Sequence, residues 1–254
     1  MKYLVLSLLV LCSFFATAQE SLVQIGEQLT YEVSYAGIKL GSVEILTEPN
    51  QTLNGETVHK MKCNMKSYPS IPFVSLNVVY ESWMPLALAS SKKFVGIYED
   101  NGWIYQEVIF DNANSQINAQ KFRDKKKIES KQMYSATKWN DGLSIFFLAR
   151  KFAGNKRTVR LPVFVDDTTH AVINFTSKRE NIEIDAVDSP IKTTYLYGNL
   201  EFKGVYGLSG NYQGWFSDDA ARIPIKAKMN VIVGSVTIEL KSWKRKGWSP
   251  PLAK

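Results

Sequence analysis

Residues 26–46 read GEQLTYEVSYAGIKLGSVEIL. Leu29, Tyr31, Val33 and Tyr35 fall at every second position, separated by Thr30, Glu32 and Ser34. Such alternation describes a strand with one buried and one wet face, because successive side chains of a strand point to opposite sides. Ala36-Gly37 breaks the run, and Ile38, Leu40, Val43 and Ile45 follow. Gly37 and Gly41 mark a turn or bulge between two strands.

The same pattern extends outward. ETVHKMKCNMKS (56–67) follows the turn pair Asn54-Gly55. FVSLNVVYESWM (73–84), KKFVGIYED (92–100) and WIYQEVIFD (103–111) come next, the last two joined by the hairpin signal Asp100-Asn101-Gly102. AQKFRD (119–124) and KKIESKQMY (126–134) read as a further hairpin. After residue 156 the strands are 157–167, 169–179, 180–185, 191–204, 210–217, 222–233 and 234–245. One segment breaks the alternation: DGLSIFFLARKFAG (141–154) spaces its apolar residues as a helix, with Asp141 at the start and Gly154 at the end. Its Leu143, Phe146 and Phe147 face is expected to pack on the sheet; the alternative is a helix lying on a membrane surface. The fold class is therefore all-β and mainly antiparallel. About a dozen strands form a large twisted sheet, half-barrel or sandwich, with one helix near 141–153.

The N-terminus reads MKYLVLSLLVLCSFFATAQE. A basic Lys2, an apolar run and Ala16-Thr17-Ala18 form a signal-peptide pattern, so residues 1–18 are expected to be removed. The apolar run is shorter than the roughly 20 residues a spanning helix needs. A lipoprotein reading of Cys12 is disfavoured by Leu11 before it. The expected organisation is one β-rich domain over 19–246, or two fused β-subdomains split near 140–156, and a disordered tail over 247–254. An exported, periplasmic or envelope-associated location follows, with no span in the mature chain. Cys63 is then the single cysteine left, and its alternating neighbours suggest a buried structural thiol.

The net charge is +7. Basic residues cluster at Lys125-Lys126-Lys127 and at Lys241, Lys244, Arg245 and Lys246. Such patches are usually solvated tips and tails, and an exported chain seldom meets nucleic acid. Anionic headgroups are the more natural polyanion. His59 and His170 lack metal-ligand spacing, so no metal and no cofactor are expected. G-x-S-x-G, G-x-G-x-x-G and phosphate-loop patterns are absent; Tyr206–Gly210 is a glycine-rich turn. The doublets Asp166-Asp167 and Asp218-Asp219 stand at strand ends, where carboxylates bond nearby amides. Paired glycosidase carboxylates are gathered across a substrate, which a sequence doublet does not supply.

WFSDDAARIPIK (215–226) is the densest cluster of unusual residues. Ser217, Asp218 and Asp219 carry turn chemistry, Arg222 is placed to pair with either acid, and Pro224 opens the next strand. These five are expected to latch one strand to the next, with no catalytic role.

The pattern W-x-S-D-D-x-x-R-x-P at 215–224, followed by Gly234 and an alternating strand to Leu240, resembles the C-terminal signature of DUF3108, an exported bacterial β-rich family of unknown function. Gly26-Glu27, Leu29, Tyr31, Val33, Tyr35, Gly37 and Gly41 are similar to its opening strands. Glu81-x-Trp83-x-Pro85-Leu86 and Asp141-x-Leu143-Ser144 match in order, with Glu81 where the family often has Asp. The resemblance covers most of the mature chain and brings no catalytic residues. It implies a shape similar to the half-open barrels that carry lipoproteins or lipids.

The expected function is non-catalytic binding of a hydrophobic or lipid-like ligand, with Trp83, Leu143, Phe146, Phe147 and Trp215 as candidate contacts. That reading requires an apolar cavity between the helix and the sheet. One alternative is an envelope scaffold or protein-interaction module, using Tyr195, Tyr197, Trp243 and Trp248 as an exposed surface. The other is a polysaccharide hydrolase with carboxylates gathered from separate strands.

Overall fold

The computed structural model describes residues 22–72, 75–202, 209–230 and 234–253. Residues 1–21 (with Cys12), 73–74, 203–208, 231–233 and 254 lie outside them, so the leader, most of the glycine-rich turn at Tyr206–Gly210 and parts of three expected strands (73–84, 191–204 and 222–233) are not described.

Fourteen strands form one antiparallel sheet. In chain order they are β1 (Gln28–Tyr35), β2 (Ile38–Leu53), β3 (Glu56–Ser67), β4 (Asn77–Pro85), β5 (Lys93–Glu99), β6 (Trp103–Asp111), β7 (Gln116–Arg123) and β8 (Lys126–Tyr134). The helix α1 (Ser144–Phe152) follows. The second run is β9 (Arg157–Phe164), β10 (Thr168–Ile182), β11 (Ile191–Leu200), β12 (Gly210–Ser217), β13 (Pro224–Asn230) and β14 (Ser235–Lys244). The spatial order runs from β8 back to β1, then β14 back to β9. Each run is thus a meander, and α1 carries the chain from one edge strand of the sheet to the other. The two runs join where β1 pairs with β14, from Gln28–Lys244 to Tyr35–Val236.

Among the described residues there is no second sheet, so of the forms expected the structure takes one large sheet that stays open. It curls until its ends approach. Phe164 donates its amide to the Asn140 carbonyl at 2.7 Å, and Lys121 Nζ lies 2.9 Å from Asp166 Oδ1. Of the segment expected as a separate strand at 180–185, residues 180–182 are the end of β10 and 183–185 leave the sheet. Gly198 shows how closely the strands pack: a Cβ there would lie 2.0 Å from the Val172 carbonyl oxygen and 2.6 Å from the Tyr212 hydroxyl.

The alternation sets the core. Leu29, Tyr31, Ile45, Met61, Cys63 and Met84 are buried on the inner face of the first run, and Ile173, Leu196, Phe216, Ile225 and Leu240 on that of the second. The α1 residues Phe147, Leu148 and Ala149 join this core, so the membrane-surface alternative for the helix falls. At nine residues it is too short to persist alone. Tertiary contacts hold it. The Asp141 carboxylate accepts the amides of Leu143 and Ser144, both at 2.8 Å, just ahead of the first turn.

The tail is not disordered over the described residues. Trp248 is buried, Lys192 donates its amide to the Pro251 carbonyl at 2.8 Å, and Leu252 bridges Ile191. Its indole has both an apolar seat and an acceptor, and Pro250-Pro251 arrives already extended.

Candidate functional site

Inside the curl, between α1 and the inner face, lies a cavity of about 540 Å³. Its wall comes from nearly every strand. Tyr31, Val43, Ile45 and Met65 line it from the first run, and Leu196, Tyr212, Phe216, Met229 and Ile238 from the second. Leu143, Ile145, Phe146 and Ala149 close it from the helix. Phe146 packs edge-on against Tyr31, with ring centroids 6.3 Å apart. The lining is mainly apolar; Gln106, Gln213, Asp166 and Lys226 are its polar residues besides four tyrosines. Lys226 is spent on Glu239, at 2.6 Å. A volume of this size, apolar with few polar groups, is the ordinary profile of a small-molecule pocket.

The two ends of the cavity differ. At the α1 end, three buried polar nodes tie helix to sheet. Arg150 is fully buried and grips Glu27 with two donors, at 2.6 and 3.1 Å, while Arg245 donates to the same carboxylate. Arg150 also donates to the Ala221 carbonyl at 3.1 Å. This joins α1 to the start of β1, the end of β14 and the 218–223 turn. The second node is Asp141, whose Oδ2 accepts the hydroxyls of Ser82 and Ser91, both at 2.6 Å. Burial raises its carboxyl above the ordinary value, against the pull of these donors.

The third node is the expected latch. Ser217 donates to Asp219 Oδ1 at 2.8 Å and accepts the Ile223 amide at 2.8 Å. Asp219 also accepts the amides of Ala221 and Arg222, both at 3.0 Å, and the Trp248 indole N–H at 2.8 Å. Asp218 faces the other way and takes Arg179 at 2.6 Å. Pro224 pairs with Phe216 across a bulge and lines the cavity. Arg222 departs from expectation: its guanidinium does not pair with the acids. It donates to the Lys151 carbonyl at 2.9 Å, where the last turn of α1 has carbonyls without helical partners.

Of the five expected ligand contacts, Leu143 and Phe146 line the cavity. Phe147 sits beneath them in the solid core, 1% exposed. Trp83 and Trp215 are on the outer face. Trp83 packs with Val58 and Val95, under Lys60 and Lys93, and donates to Gln51 at 2.8 Å. Trp215 leans on Tyr195 and donates to Glu180 at 2.7 Å. Strand parity explains both: Tyr80 and Phe216 point inward, so their odd–even opposites point out.

The expected aromatic surface is also rearranged. Trp248 is buried and Trp243 packs edge-on against it, while Tyr197 is exposed beside Tyr195. His59 bonds Asn50 and His170 faces Glu201, far apart in the sheet order. Among the described residues no three His, Cys, Asp or Glu side chains gather as a metal site, and no helix is long and apolar enough to cross a membrane. Cys63 is buried, which pushes its thiol up to about 12.

Sequence reading missed Arg150 and Arg245 as partners of Glu27. A signal existed for Arg150: it lies three residues after Phe147, within the apolar stripe of the helix, where an unpaired charge is not tolerated.

A single curled antiparallel sheet, floored by one helix around an apolar cavity, defines a half-open, barrel-like all-β protein. The chain belongs to the family described as a protein of unknown function, DUF3108, whose profile matches residues 30–241. No curated protein matches it. Among solved structures it is similar to a β-barrel-like protein of the domain of unknown function DUF1849 from Brucella abortus. The TM-score is 0.53 and the identity 9%, over 87% of this chain and 97% of that one. A candidate exported protein of YmcC-like fold from Bacteroides fragilis aligns over the same shares at 9% identity, with a TM-score of 0.35.

Proposed function

We propose that this chain is a non-catalytic binding protein for an apolar, lipid-like molecule held between α1 and the inner face of the sheet. The observation that carries this reading is the cavity of about 540 Å³ with its mainly apolar wall. Water gains few partners there, whereas an acyl-type chain replaces lost dispersion contacts along its whole length. The cavity wall reaches Tyr98, Gln106 and Asp166, near the 100–102 and 165–167 turns, and the Asp166 side chain is 68% exposed. The apolar part of a ligand would lie toward α1, and its polar end toward this rim.

The reading is non-catalytic because the acids of the 217–224 loop are engaged elsewhere, Asp219 by amides, a hydroxyl and an indole and Asp218 by Arg179, and neither lines the cavity. Export through removal of residues 1–18 belongs to the same proposal, as does a periplasmic or envelope location.

The test is native mass spectrometry of the mature protein from its own host, followed by organic extraction, and titration with a fluorescent acyl probe. A co-purifying lipid at fixed stoichiometry and saturable probe binding are expected. Ile238→Trp, which fills the cavity, should weaken probe binding about tenfold or more. Saturable binding unchanged in a folded Ile238→Trp protein would overturn the reading.

A further inference from the structure

The exposed apolar side chains of this protein are not evenly spread. Trp103 is 50% exposed, Tyr105 37% and Ile128 46%, and all three lie on β6 and β8, the two strands that flank β7. Tyr105 pairs with Phe122, and Phe122 with Lys127, in one row across the three strands. The rings of Tyr105 and Phe122 are 6.1 Å apart, and Lys127 Nζ sits 5.6 Å over the Phe122 ring. Tyr105 is on the outer face, since its neighbours Gln106 and Val108 include the cavity wall. Ile128 is the extra residue of a bulge in β8 opposite Lys121 and Phe122. Tyr134, the other exposed large apolar residue of β8, lies at its far end opposite Gln116.

The charges at this corner are also distinctive. Trp103 and Asp124 exchange backbone and carboxylate bonds at 2.9 Å, which places the 124–125 turn beside the indole. Asp100 is taken by Arg123 at 3.5 Å, and Lys121 by Asp166. Lys125, Lys126 and Lys127 are exposed and form no ion pair among the described residues. An exposed Trp, Tyr and Ile set beside three lysines that have no acidic partner among the described residues has the composition of a surface that meets an interface of headgroups. The rings suit the boundary and the lysines suit its negative charge.

We infer that the hairpin tips of β5–β6 and β7–β8 dock the protein on an anionic lipid surface, with Trp103 and Ile128 as the apolar contacts and Lys125–Lys127 as the electrostatic ones. The position fits the cavity. Asp166 and Gln106, which line its rim, bond each other at 3.2 Å, and Lys121 adjoins Phe122. Docking by these tips would bring the rim near the lipid, since Gln106 lies three residues from Trp103 on β6. The inference rests on the lipid-like reading only for this purpose; the docking itself stands on the surface residues.

Co-sedimentation of the mature protein with vesicles tests it, comparing pure phosphatidylcholine with a mixture containing phosphatidylglycerol. Binding to the anionic vesicles is expected, falling steeply with added salt. Each lysine of the three replaced by Ser should lower partitioning about fivefold. Trp103→Ala should lower it by a similar factor, and Tyr197→Ala, an exposed aromatic on the other run, should not. Absence of binding at low salt, or equal loss in Tyr197→Ala and Trp103→Ala, overturns the inference. A protein partner in place of lipid would give the first of these outcomes. Acyl-probe titration without vesicles, repeated on the lysine variants, keeps the two readings apart: probe binding without vesicle binding rejects docking alone, and the converse rejects the cavity ligand alone.

Discussion

The α1 end of the cavity and its hairpin end use the same side-chain chemistry to opposite effect. At the α1 end Arg150, Arg245 and Glu27 meet with almost no exposure. At the hairpin end Lys121 meets Asp166, and Arg123 meets Asp100, with the acids 68% and 60% exposed. Water solvates the acids of the second set whether or not the pairs form, so forming them changes less. It cannot solvate the first set, so each charge there depends on its partner. The floor is therefore rigid and specified, and the rim is held by weak, replaceable contacts. On the proposed reading, that asymmetry would let the pocket retain a ligand and still exchange it.

Substitution at the floor gives the largest expected effect. Glu27→Ala takes the carboxylate away from the fully buried Arg150 guanidinium and should cost about 3–5 kcal/mol, measured by urea unfolding. Asp141→Ala strips two hydroxyls and two amides of an acceptor and should cost about 2–3 kcal/mol by the same measurement. Between floor and rim, Gly198→Ala forces a methyl group onto the Val172 carbonyl and should cost about 1–3 kcal/mol. At the rim, Asp166→Ala should cost less than about 1 kcal/mol, and that small loss should shrink further in added salt. Equal costs for Glu27→Ala and Asp166→Ala would break the comparison.

Cys63 sharpens it with a pH profile. Burial holds its thiol at about 12, above the roughly 8.5 of an unfolded cysteine. The folded state thus favours the protonated form. The stability this contributes is intact below the unfolded value and is lost as pH rises from there through about 12. Iodoacetamide should label the folded protein very slowly at pH 8 and rapidly once urea opens the core. Fast labelling at pH 8 without urea would mean that the inner face is accessible.

Much of the fold was legible locally. Alternation in residues 26–46 placed β1 and β2, Asp100-Asn101-Gly102 placed a hairpin, and the changed spacing at 141–154 placed α1. The inward role of Leu143 and Phe146 also followed from that spacing. The choice between Trp83 and its neighbours did not. Both faces of β4 carry large apolar residues, Tyr80 and Met84 on one side and Val79 and Trp83 on the other, so parity had no local marker. Size suggested the tryptophan, yet the sheet turned Tyr80 inward. The tail was misread because Trp248 looks exposed until Asp219, 29 residues before it, supplies an acceptor.

By itself, then, the sequence determined the strands, the helix, their order and the alternation that gives each strand an inner face. Those depend on sterics and hydrophobic periodicity within a few residues. Only the tertiary structure decided that one sheet would curl around a cavity, and which groups would seal its floor. Glu27 meets Arg150 across 123 positions and Arg245 across 218. No local propensity specifies pairs so distant; the partners find each other because a buried charge has nowhere else to go.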